Sequence, residues 1–452
     1  MSKPLKNKYF FDLLPKLLFL LSLVIMSFGY GYLAKTFHWF PYYQVENAKL
    51  VAQKLINEKK NIRPWYYQRT VQTRFVPILD RDKVQPGATL LTCVGNDDSL
   101  YIKVVDPDGQ IIHQWRLNWF KVWPHAKHIP ARLVPKSRPG THIHGVKLFP
   151  NGDIIFNFTE LGLLRMDVCG HVIWRLPYCT HHSVNMDQDG FLWVPGNIYH
   201  ESKPKPGFPY LKPWFIEPML LKVSPDGERV REISVLDILR EDDLTGLLVM
   251  SSQARWDVYA RNDILHLNDL EIFPSDLPEG VFKHGDMMIS LRNIQTIMVL
   301  DPVTLKVRYI KTGGMIRQHD PDFIDGNTIS IFDNNNVKND PDPPYSRIIL
   351  LDARTGENTV YYRGNTEHPF FTPIMGTHQW LPNGNVLITE TITGRVFEIA
   401  PGGETVWEYF NLLNDGYVGI VEGAERLPAE YDRAFFQRRV QACRDSASKD
   451  GN

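Results

Sequence analysis

The chain has 452 residues, of which 43% are hydrophobic and 22% are charged, and this composition excludes a disordered or collagen-like protein. Its 50 basic and 51 acidic side chains leave a formal net charge of -1, so no global positive charge favours binding of DNA or RNA. Four cysteines without a Cys-x-x-Cys pair exclude a disulfide-built scaffold and a zinc site of the usual spacing.

An apolar run near the N-terminus predicts a transmembrane helix, with a buried core helix as the alternative. Residues Leu17 to Ala34 carry no charge and are bracketed by Lys16 and Lys35, which suits a tilted membrane span. Lysines before the run orient its N-terminus inside, and aromatic side chains after it suit the membrane interface. Because bulky residues stand where a signal peptidase requires small ones, we expect an uncleaved signal anchor over residues 1–35.

This anchor predicts the compartment of the remaining chain. We expect a single-pass protein of the inner (cytoplasmic) membrane whose main domain faces the periplasm or the extracellular side. Residues Gln44 to Lys60 carry a broad apolar stripe among charges, which predicts a helix that packs on the main domain or on a partner. Residues 36–87 are therefore expected to form a juxtamembrane helix and a linker.

From about Ala88 onward one repeating unit organises the sequence. Strands end in the pairs Asn151-Gly152, Asp189-Gly190 and Asn383-Gly384, which suit tight hairpins because these residues tolerate a positive φ. A strand pattern typical of the second half of the unit recurs with starts at Val104, Met166, Val223, Leu300, Leu351 and Ile399. Recurrence of a four-stranded antiparallel unit is typical of propeller blades. The sequence predicts an all-β fold, a six-bladed β-propeller, over residues 88–430.

The first unit lacks an innermost strand, and the C-terminus offers one. Residues Glu422 to Glu430 imitate the inner-strand pattern, so we expect this segment to close the ring on the first blade and remove an exposed sheet edge. Residues 431–452 then form a C-terminal tail. Insertions at Asn197 to Pro218, Asp237 to Arg261 and Asn334 to Tyr345 are expected to be loops at the rims.

Histidine recurs at one place in the predicted inner strands, at His142 or His144, His182, His266, His319 and His378. Inner strands of a propeller line the central channel, and desolvation of several imidazoles together is costly without a ligand. The spacing from histidine to turn is seven residues for His144 and His182 but six for His319. Since a strand alternates faces, His319 is expected on a bulge or pointing differently from the others.

Two predicted blades carry further polar residues. The period of two places His266 and Asn268 on one face of a strand, and Arg292 is expected on the neighbouring strand. His319 precedes a strand that ends in Phe332-Asp333-Asn334. A neutral imidazole beside a guanidinium fork and an amide suits an oxyanion such as a sulfuryl or phosphoryl group.

The order of these motifs, His-x-Asn, Ser-x-Arg, Gln-His-Asp, Phe-Asp-Asn and then Ser346-Arg347, resembles the bacterial PAPS-independent arylsulfotransferases, six-bladed propellers of the periplasm. The resemblance covers roughly His182 to Tyr409. It implies that His319 is transiently sulfated, that the sulfuryl oxygens are held, and that a further histidine lines the channel. The group that holds the sulfuryl oxygens is matched by His266, Asn268 and Arg292. The further channel histidine is matched by His182.

Members of that family also carry an N-terminal β-sandwich, which cannot fit between Ala34 and Ala88, and are commonly exported with a cleaved signal. Acceptor specificity and oligomeric state are therefore not inferred. The resemblance implies ping-pong transfer from an aryl sulfate to a phenol or other hydroxyl, without a cofactor. His319 would attack sulfur, and His266 or His182 would protonate the leaving phenolate. His378 and His144 are expected to bind substrate.

Three alternatives remain open at this point. His378 and His182 compete with His319 as nucleophile. A metal enzyme with histidine-bound iron, as in carotenoid-cleaving oxygenases, is disfavoured because Arg292 would repel a cation and no clear set of carboxylates orients the imidazoles. A propeller that binds a ligand in its channel without catalysis is the third. No Gly-x-x-x-x-Gly-Lys-Ser/Thr loop indicates a nucleotide site.

Overall fold

The computed structural model describes residues 7–450 apart from 251–258, 338–344 and positions 38, 43, 46–47, 50, 53–55 and 57–62. The chain divides into two compact units, Met1–Pro64 and Trp65–Asn452. The predicted helix over Gln44 to Lys60 falls mostly outside the described residues.

The first unit contains one long helix, Asn7–Phe37. Its segment Leu13–Thr36 is long and apolar enough to cross a membrane, although a signal sequence has the same properties. At 1.5 Å per residue, a stretch of 24 residues is about 36 Å long, which exceeds the roughly 30 Å of a bilayer core. The apolar side chains of this segment are mostly exposed within the unit.

The second unit is a six-bladed propeller, as predicted. From the inner to the outer edge, blade 1 consists of Val421–Arg426, Thr89–Val94, Leu100–Val105 and Ile111–Leu117, and blade 2 consists of Val146–Leu148, Ile154–Phe158, Gly162–Met166 and Val172–Leu176. In the same order, blade 3 consists of Cys179–Thr180 with Asn185–Met186, Leu192–His200, Leu211–Val223 and Arg229–Ser234, and blade 4 consists of Leu267–Ile272, Met287–Leu291, Thr296–Leu300 and Val307–Thr312. Blade 5 consists of His319–Asp325, Thr328–Asp333, Arg347–Asp352 and Asn358–Arg363, and blade 6 consists of Thr377–Trp380, Val386–Glu390, Arg395–Ile399 and Thr405–Phe410. All pairs within these blades are antiparallel.

Smaller elements complete the unit. Tyr67–Arg69 pairs with Tyr417–Gly419, Ile78–Leu79 adds to the outer edge of blade 6, and Ala260–Asn262 pairs with the long strand of blade 3. The α-helices are Trp119–Val122, Val235–Glu241 and Arg433–Asp450, and the 3₁₀ helices are Thr245–Val249, Arg292–Ile294 and Asn414–Gly416. The segment before Ala88 thus contributes strands to the propeller unit.

Tight hairpins with three-residue loops follow the inner strands at Asn151-Gly152, Asp189-Gly190 and Asn383-Gly384. In the turn after Val146–Leu148, the Phe149 amide donates to the Asp153 carbonyl at 2.8 Å, and Gly152 has a φ of 89°. Asn151 is not among the residues with a positive φ. One left-handed glycine after a type I turn gives a three-residue loop, so Gly152 alone supplies the conformation that most side chains avoid.

Closure of the ring joins the C-terminus to the first blade. Ala424 pairs with Leu91 in the antiparallel register between Val421–Arg426 and Thr89–Val94. Arg426 then forms a buried ion pair with Glu398 of blade 6, with 3.1 Å between Nη2 and Oε2. This pair fastens the closing strand to the adjoining blade.

The insertion at Asn197 to Pro218 is not a rim loop, contrary to expectation. It forms the ends of the long strands Leu192–His200 and Leu211–Val223, which continue to pair up to His200 and Phe215. Phe208 and Phe215 are fully buried there. They share one hydrophobic cluster with the short helix Val235–Glu241 and with the strands of blade 4.

The last helix is fixed to blade 2 and blade 1. A disulfide joins Cys169, in the turn of blade 2, to Cys443 in Arg433–Asp450. Phe436 of this helix is buried and stacks on the His113 ring at 4.9 Å between centroids. Cys93 and Cys179 are buried free thiols.

Candidate active site

A cavity of about 290 Å³ lies on the channel axis, where the inner strands of the blades approach one another. Its lining includes a set of imidazole, amide and carboxylate side chains, namely His144, His182, Asn268, His319, His378 and Glu422. The structure therefore brings four of the predicted histidines to one cavity. His142 and His266 lie beside this set, through ring contacts with His144 and His182.

His182 stands at the centre of a cluster of imidazoles. Its ring centroid is 4.7 Å from that of His144, 5.5 Å from that of His266 and 6.5 Å from that of His319. These four histidines come from four consecutive blades. Such proximity makes each proton on one ring unfavourable for its neighbours, and burial together with the neighbouring imidazoles lowers the pKa of His182.

The backbone is strained where it presents these rings. His182 and His266 have φ values of 52° and 51°, and Asp320, directly after His319, has 48°. Residues with side chains seldom adopt this left-handed region, and each such position costs roughly 1 to 3 kcal/mol. A register shift between His319 and Asp322 confirms the bulge that the spacing of His319 predicted.

The tautomer of His319 is set by Asn334. The side-chain nitrogen of Asn334 donates to the carbonyls of Thr372 and Met375 at 2.9 and 2.7 Å. Its oxygen therefore faces His319, 2.6 Å from Nδ1, and accepts the Nδ1 hydrogen. The Arg317 carbonyl lies 3.0 Å from the same nitrogen. With its proton on Nδ1, His319 carries its lone pair on Nε2.

His319 is also held in the neutral form. Burial lowers the pKa of its imidazole to about 3, and the positive charge of Arg292 acts in the same direction. The hydrogen bond to Asn334 opposes this shift only in part. At neutral pH the ring is therefore an uncharged imidazole under the influence of the Arg292 charge.

The sequence predicted Arg292 on a strand. In the structure it lies in the 3₁₀ turn Arg292–Ile294, which follows the strand Met287–Leu291. Its backbone amide donates to the His266 carbonyl at 3.0 Å, which ties the turn to the inner edge of blade 4. Among the described residues, the Nε atom of Arg292 has no hydrogen-bond partner. Burial and the charge of Arg317 lower the pKa of Arg292 to about 10, so the guanidinium stays charged.

Asn268 and His266 reach the site by different routes. His266 precedes the strand Leu267–Ile272, and a register shift lies between Leu267 and Asp269, so the simple period of two does not hold here. Asn268 donates through Nδ2 to the Gln318 carbonyl at 2.7 Å, which leaves its second Nδ2 hydrogen for another acceptor. The His266 Nδ1 is hydrogen-bonded to the Asp263 carboxylate.

Blade 1 contributes a carboxylate where other blades contribute histidines. Glu422 is 2% exposed, and its carboxylate oxygens lie 3.3 Å from His142 Nδ1 and 3.3 Å from His144 Nε2. Burial alone would lower the pKa of His142, but the Glu422 charge raises it overall. Burial lowers the pKa of His144 to about 3.

His378 lines the cavity but is already saturated. Its Nδ1 lies 3.1 Å from Asp320 Oδ2, and its Nε2 lies 2.6 Å from the Ser330 hydroxyl. Both ring nitrogens therefore have partners, whereas the Nε2 of His319 makes no hydrogen bond to any described residue. This geometry favours His319 over His378 as the nucleophile.

Unsatisfied buried polar atoms concentrate at this cluster. Within the described parts of the chain, atoms without a hydrogen-bond partner include His142 Nδ1, both ring nitrogens of His144, Asn268 Oδ1, Arg292 Nε and Glu422 Oε2. A buried polar atom that lacks a partner costs roughly 1 to 3 kcal/mol. Their concentration around the cavity indicates a site for a polar ligand.

The expectation that no carboxylates orient the imidazoles is wrong. Glu422, Asp263 and Asp320 each stand beside a site histidine. Sequence distance concealed the pairs of Glu422 with His144 and of Asp320 with His378, whereas Asp263 and His266 are only three residues apart. Among the described residues, however, no three imidazoles bring their nitrogens within 4.8 Å, and the residues that do approach so closely at the channel are Asp320, Asp322 and His378. This arrangement does not fit the histidine-bound iron of the alternative reading.

Two important site residues were not predicted. Asn334 stood in the Phe-Asp-Asn motif without an assigned role, and Glu422 stood in the predicted closing strand. The position of Glu422 at the start of an inner strand, where other blades carry histidine, is the signal that would have identified it.

A family model described as arylsulfotransferase (ASST) matches residues 145–411. No curated protein matches the chain significantly. Similar solved structures include a protein of unknown function from Bacteroides caccae, with 14% identity, coverage of 75% of this chain and 98% of that chain, and a TM-score of 0.45.

Two further solved structures are similar at a lower level. A streptogramin B lyase has 12% identity, coverage of 75% of this chain and 87% of that chain, and a TM-score of 0.38. The WD40 β-propeller domain of Doa1 has 11% identity, coverage of 79% and 95%, and a TM-score of 0.39. Similarity at this level carries no argument about activity.

Proposed function

The chain belongs to the arylsulfotransferase family, and we propose that it transfers a sulfuryl group from an aryl sulfate ester to a phenolic or other hydroxyl acceptor through a sulfohistidine. One observation carries the assignment of the nucleophile. Asn334 holds the proton of His319 on Nδ1, so the Nε2 lone pair is available. The family match covers both residues.

The first half reaction begins with attack of His319 Nε2 on sulfur. The N–S bond forms, the bond from sulfur to the aryl oxygen breaks, and its electron pair leaves on the aryl oxide. Negative oxygens shield the sulfur of a sulfate ester, so the attack requires their charge to be neutralised. The Arg292 guanidinium and the free Nδ2 hydrogen of Asn268 would supply this stabilisation, with His266 and His182 beside them.

In the second half reaction a hydroxyl oxygen attacks the same sulfur. The O–S bond forms, the N–S bond breaks, and its electron pair returns to Nε2 of His319. The hydroxyl proton passes to a base in the cavity. These two steps balance without a nucleotide donor. His144 and His378, both in the cavity lining, would contact the substrate.

We also propose a location for this activity. The helix segment Leu13–Thr36 would act as a single-pass anchor in the inner membrane, with the propeller in the periplasm. The Cys169–Cys443 disulfide supports this placement, because disulfides persist in oxidising compartments. Protease digestion of intact spheroplasts tests it: degradation of the propeller supports the proposal, and full protection contradicts it.

The function is tested with the full chain in detergent and 4-nitrophenyl sulfate without an acceptor. We expect a burst of nitrophenol stoichiometric with protein and an acid-labile adduct of about 80 Da, the mass of SO₃, on His319. His319→Asn should show neither, and His378→Asn should retain both. An adduct on His182 or His378 overturns the assignment of His319. Absence of any burst favours a binding propeller, and catalysis that depends on a bound metal favours the metal enzyme.

A further inference from the structure

The proposed transfer needs a base that takes the proton of the acceptor hydroxyl, and reversal of the acid role expected for His266 or His182 would assign it to one of those two. Such a base needs a nitrogen that is free of hydrogen bonds, a carboxylate that fixes its other nitrogen, and a place in the cavity wall. Besides His319, the imidazole cluster offers His182, His266 and His144.

Two of these candidates meet the requirements only in part. His266 has a carboxylate partner in Asp263, but it is not one of the described residues that line the cavity. His182 lines the cavity, but its Nδ1 is hydrogen-bonded to Nδ1 of His181 at 2.7 Å, and its partner is therefore a second imidazole. An imidazole stabilises a neighbouring imidazolium much less than a carboxylate does.

His144 comes closest to the three requirements. It lines the cavity together with His182 and His319, and its Nε2 lies 3.3 Å from Oε2 of Glu422. Neither ring nitrogen of His144 has a hydrogen-bond partner in the described part of the chain, so Nδ1 is free and Nε2 faces the Glu422 carboxylate as an ion-pair contact. Glu422 is buried, and the groups closest to its carboxylate are His142 and His144.

We propose that His144, positioned by Glu422, is the general base toward the acceptor hydroxyl; this inference rests on the sulfuryl transfer proposed above. Glu422 holds a proton on Nε2 of His144, which leaves the lone pair on Nδ1. As the acceptor oxygen bonds to sulfur, its O–H bond breaks and the proton moves to Nδ1 of His144. The N–S bond to His319 breaks in the same step, and its electron pair returns to His319.

Charge explains why the carboxylate is needed. Proton transfer turns His144 into an imidazolium beside the imidazoles of His142 and His182, a buried environment that disfavours a positive charge. Burial keeps His144 neutral before the transfer, since it lowers its pKa to about 3. The negative charge of Glu422 at 3.3 Å stabilises the imidazolium while it exists. The imidazolium then loses this proton to water, and the aryl oxide that the donor released takes up a proton in solution.

The test compares Glu422→Gln with Glu425→Gln as a matched control. Glu425 lies on the same strand and lines the same cavity, so Glu425→Gln makes the same chemical change three residues away. With 4-nitrophenyl sulfate and phenol, we expect Glu422→Gln and His144→Gln each to lower acceptor-dependent turnover about 100-fold. The double variant should lose no more than either single variant, because the two residues act as one unit.

Two readouts separate this role from a structural one. The nitrophenol burst without acceptor should keep its full amplitude in Glu422→Gln, since the donor step does not use the base. An acceptor that is already ionised at the assay pH, such as pentafluorophenol, should react as fast with the variant as with the wild type.

The outcomes distinguish the two levels of the proposal. Absence of a burst in the wild type means that the proposed function itself has failed. A normal wild type with equal losses in Glu422→Gln for phenol and for the ionised acceptor overturns the role of His144 as base. Unchanged phenol turnover in Glu422→Gln and His144→Gln overturns it as well, and His266 or His182 then takes the role.

Discussion

The Asn334 side-chain oxygen accepts the Nδ1 hydrogen of His319 across 2.6 Å, and the same amide donates to two backbone carbonyls on its other side. The amide therefore cannot rotate without loss of two hydrogen bonds. Asn334 follows the strand Thr328–Asp333, which is the direct neighbour of the inner strand that begins at His319. The geometry of one blade thus fixes which nitrogen of His319 faces the cavity.

Substitution of Asn334 by aspartate should raise the pH below which the first half reaction slows. A carboxylate at this position keeps the tautomer but stabilises the imidazolium, so the pKa of His319 rises, by about 1 to 3 units for an opposite charge at this distance. We expect the burst rate of Asn334→Asp to fall at a higher pH than that of the wild type. Stopped-flow measurement of nitrophenol release between pH 4 and 8 checks this. Asn336→Asp, which adds the same charge in the same segment, should keep the wild-type profile.

The wild-type profile itself follows from the pKa of His319, which burial and Arg292 lower to about 3. An imidazole attacks only in its neutral form, and that form dominates at every pH above its pKa. We therefore expect the burst rate to be flat from pH 8 to about 5 and to decline below that, whereas an unperturbed histidine would decline near pH 6.5. A decline centred near pH 6.5 would contradict a buried, neutral His319.

The fold could be predicted to the level of blades because each blade repeats the same local pattern of strand, turn and strand. The closing strand could also be recognised, since its sequence imitates the other inner strands. The extended hairpin of blade 3 could not, because its aromatic side chains find their core only after Val235–Glu241 packs against them. Hairpin length depends on that packing and not on the local pattern.

The sequence could predict the histidines of the site but not the side chains that contact them. His319 and His182 stand at repeated positions, which a sequence displays directly. The partner of His144 is Glu422, and it lies beside His144 only after the ring closes. Similarly, the role of Asn334 depends on the carbonyls of Thr372 and Met375, which lie just before the inner strand of the next blade. Long-range closure therefore determines the chemistry of residues that local motifs only locate.

Arg292→Lys should reduce activity strongly although the charge is kept. An ammonium is a point donor and cannot contact two sulfuryl oxygens in the planar bidentate manner of a guanidinium. Loss of one such preorganised donor costs roughly 100- to 1000-fold in rate. Measurement of kcat/KM for 4-nitrophenyl sulfate checks this, with Arg317→Lys as a control, since Arg317 is exposed and bonds to Asn293. Equal activity of the two variants would remove Arg292 from the site.

Arg426→Met should destabilise the ring where it closes. The change leaves the buried Glu398 carboxylate without its cation, and removal of one partner of a buried pair typically costs about 3 to 5 kcal/mol. The thermal midpoint of the propeller should fall. The double variant with Glu398→Gln should recover part of this loss, because no unpaired charge remains. A single variant as stable as the wild type would show that the ion pair does not hold the closing strand.

The Cys169–Cys443 disulfide should stabilise the propeller unit through its last helix. Its loop is long, and removal of a native disulfide typically costs about 2 to 5 kcal/mol. We expect Cys443→Ser to lower the thermal midpoint, and a reductant to lower the wild-type midpoint to the same value while it leaves the variant unchanged. The variant serves as the control, because it lacks the Cys169–Cys443 disulfide that the reductant cleaves in the wild type. Since Phe436 still packs on His113 in the variant, the helix should remain docked at low temperature, which circular dichroism of the helical signal checks. An equal effect of the reductant on both proteins would assign the stabilisation to something other than this disulfide.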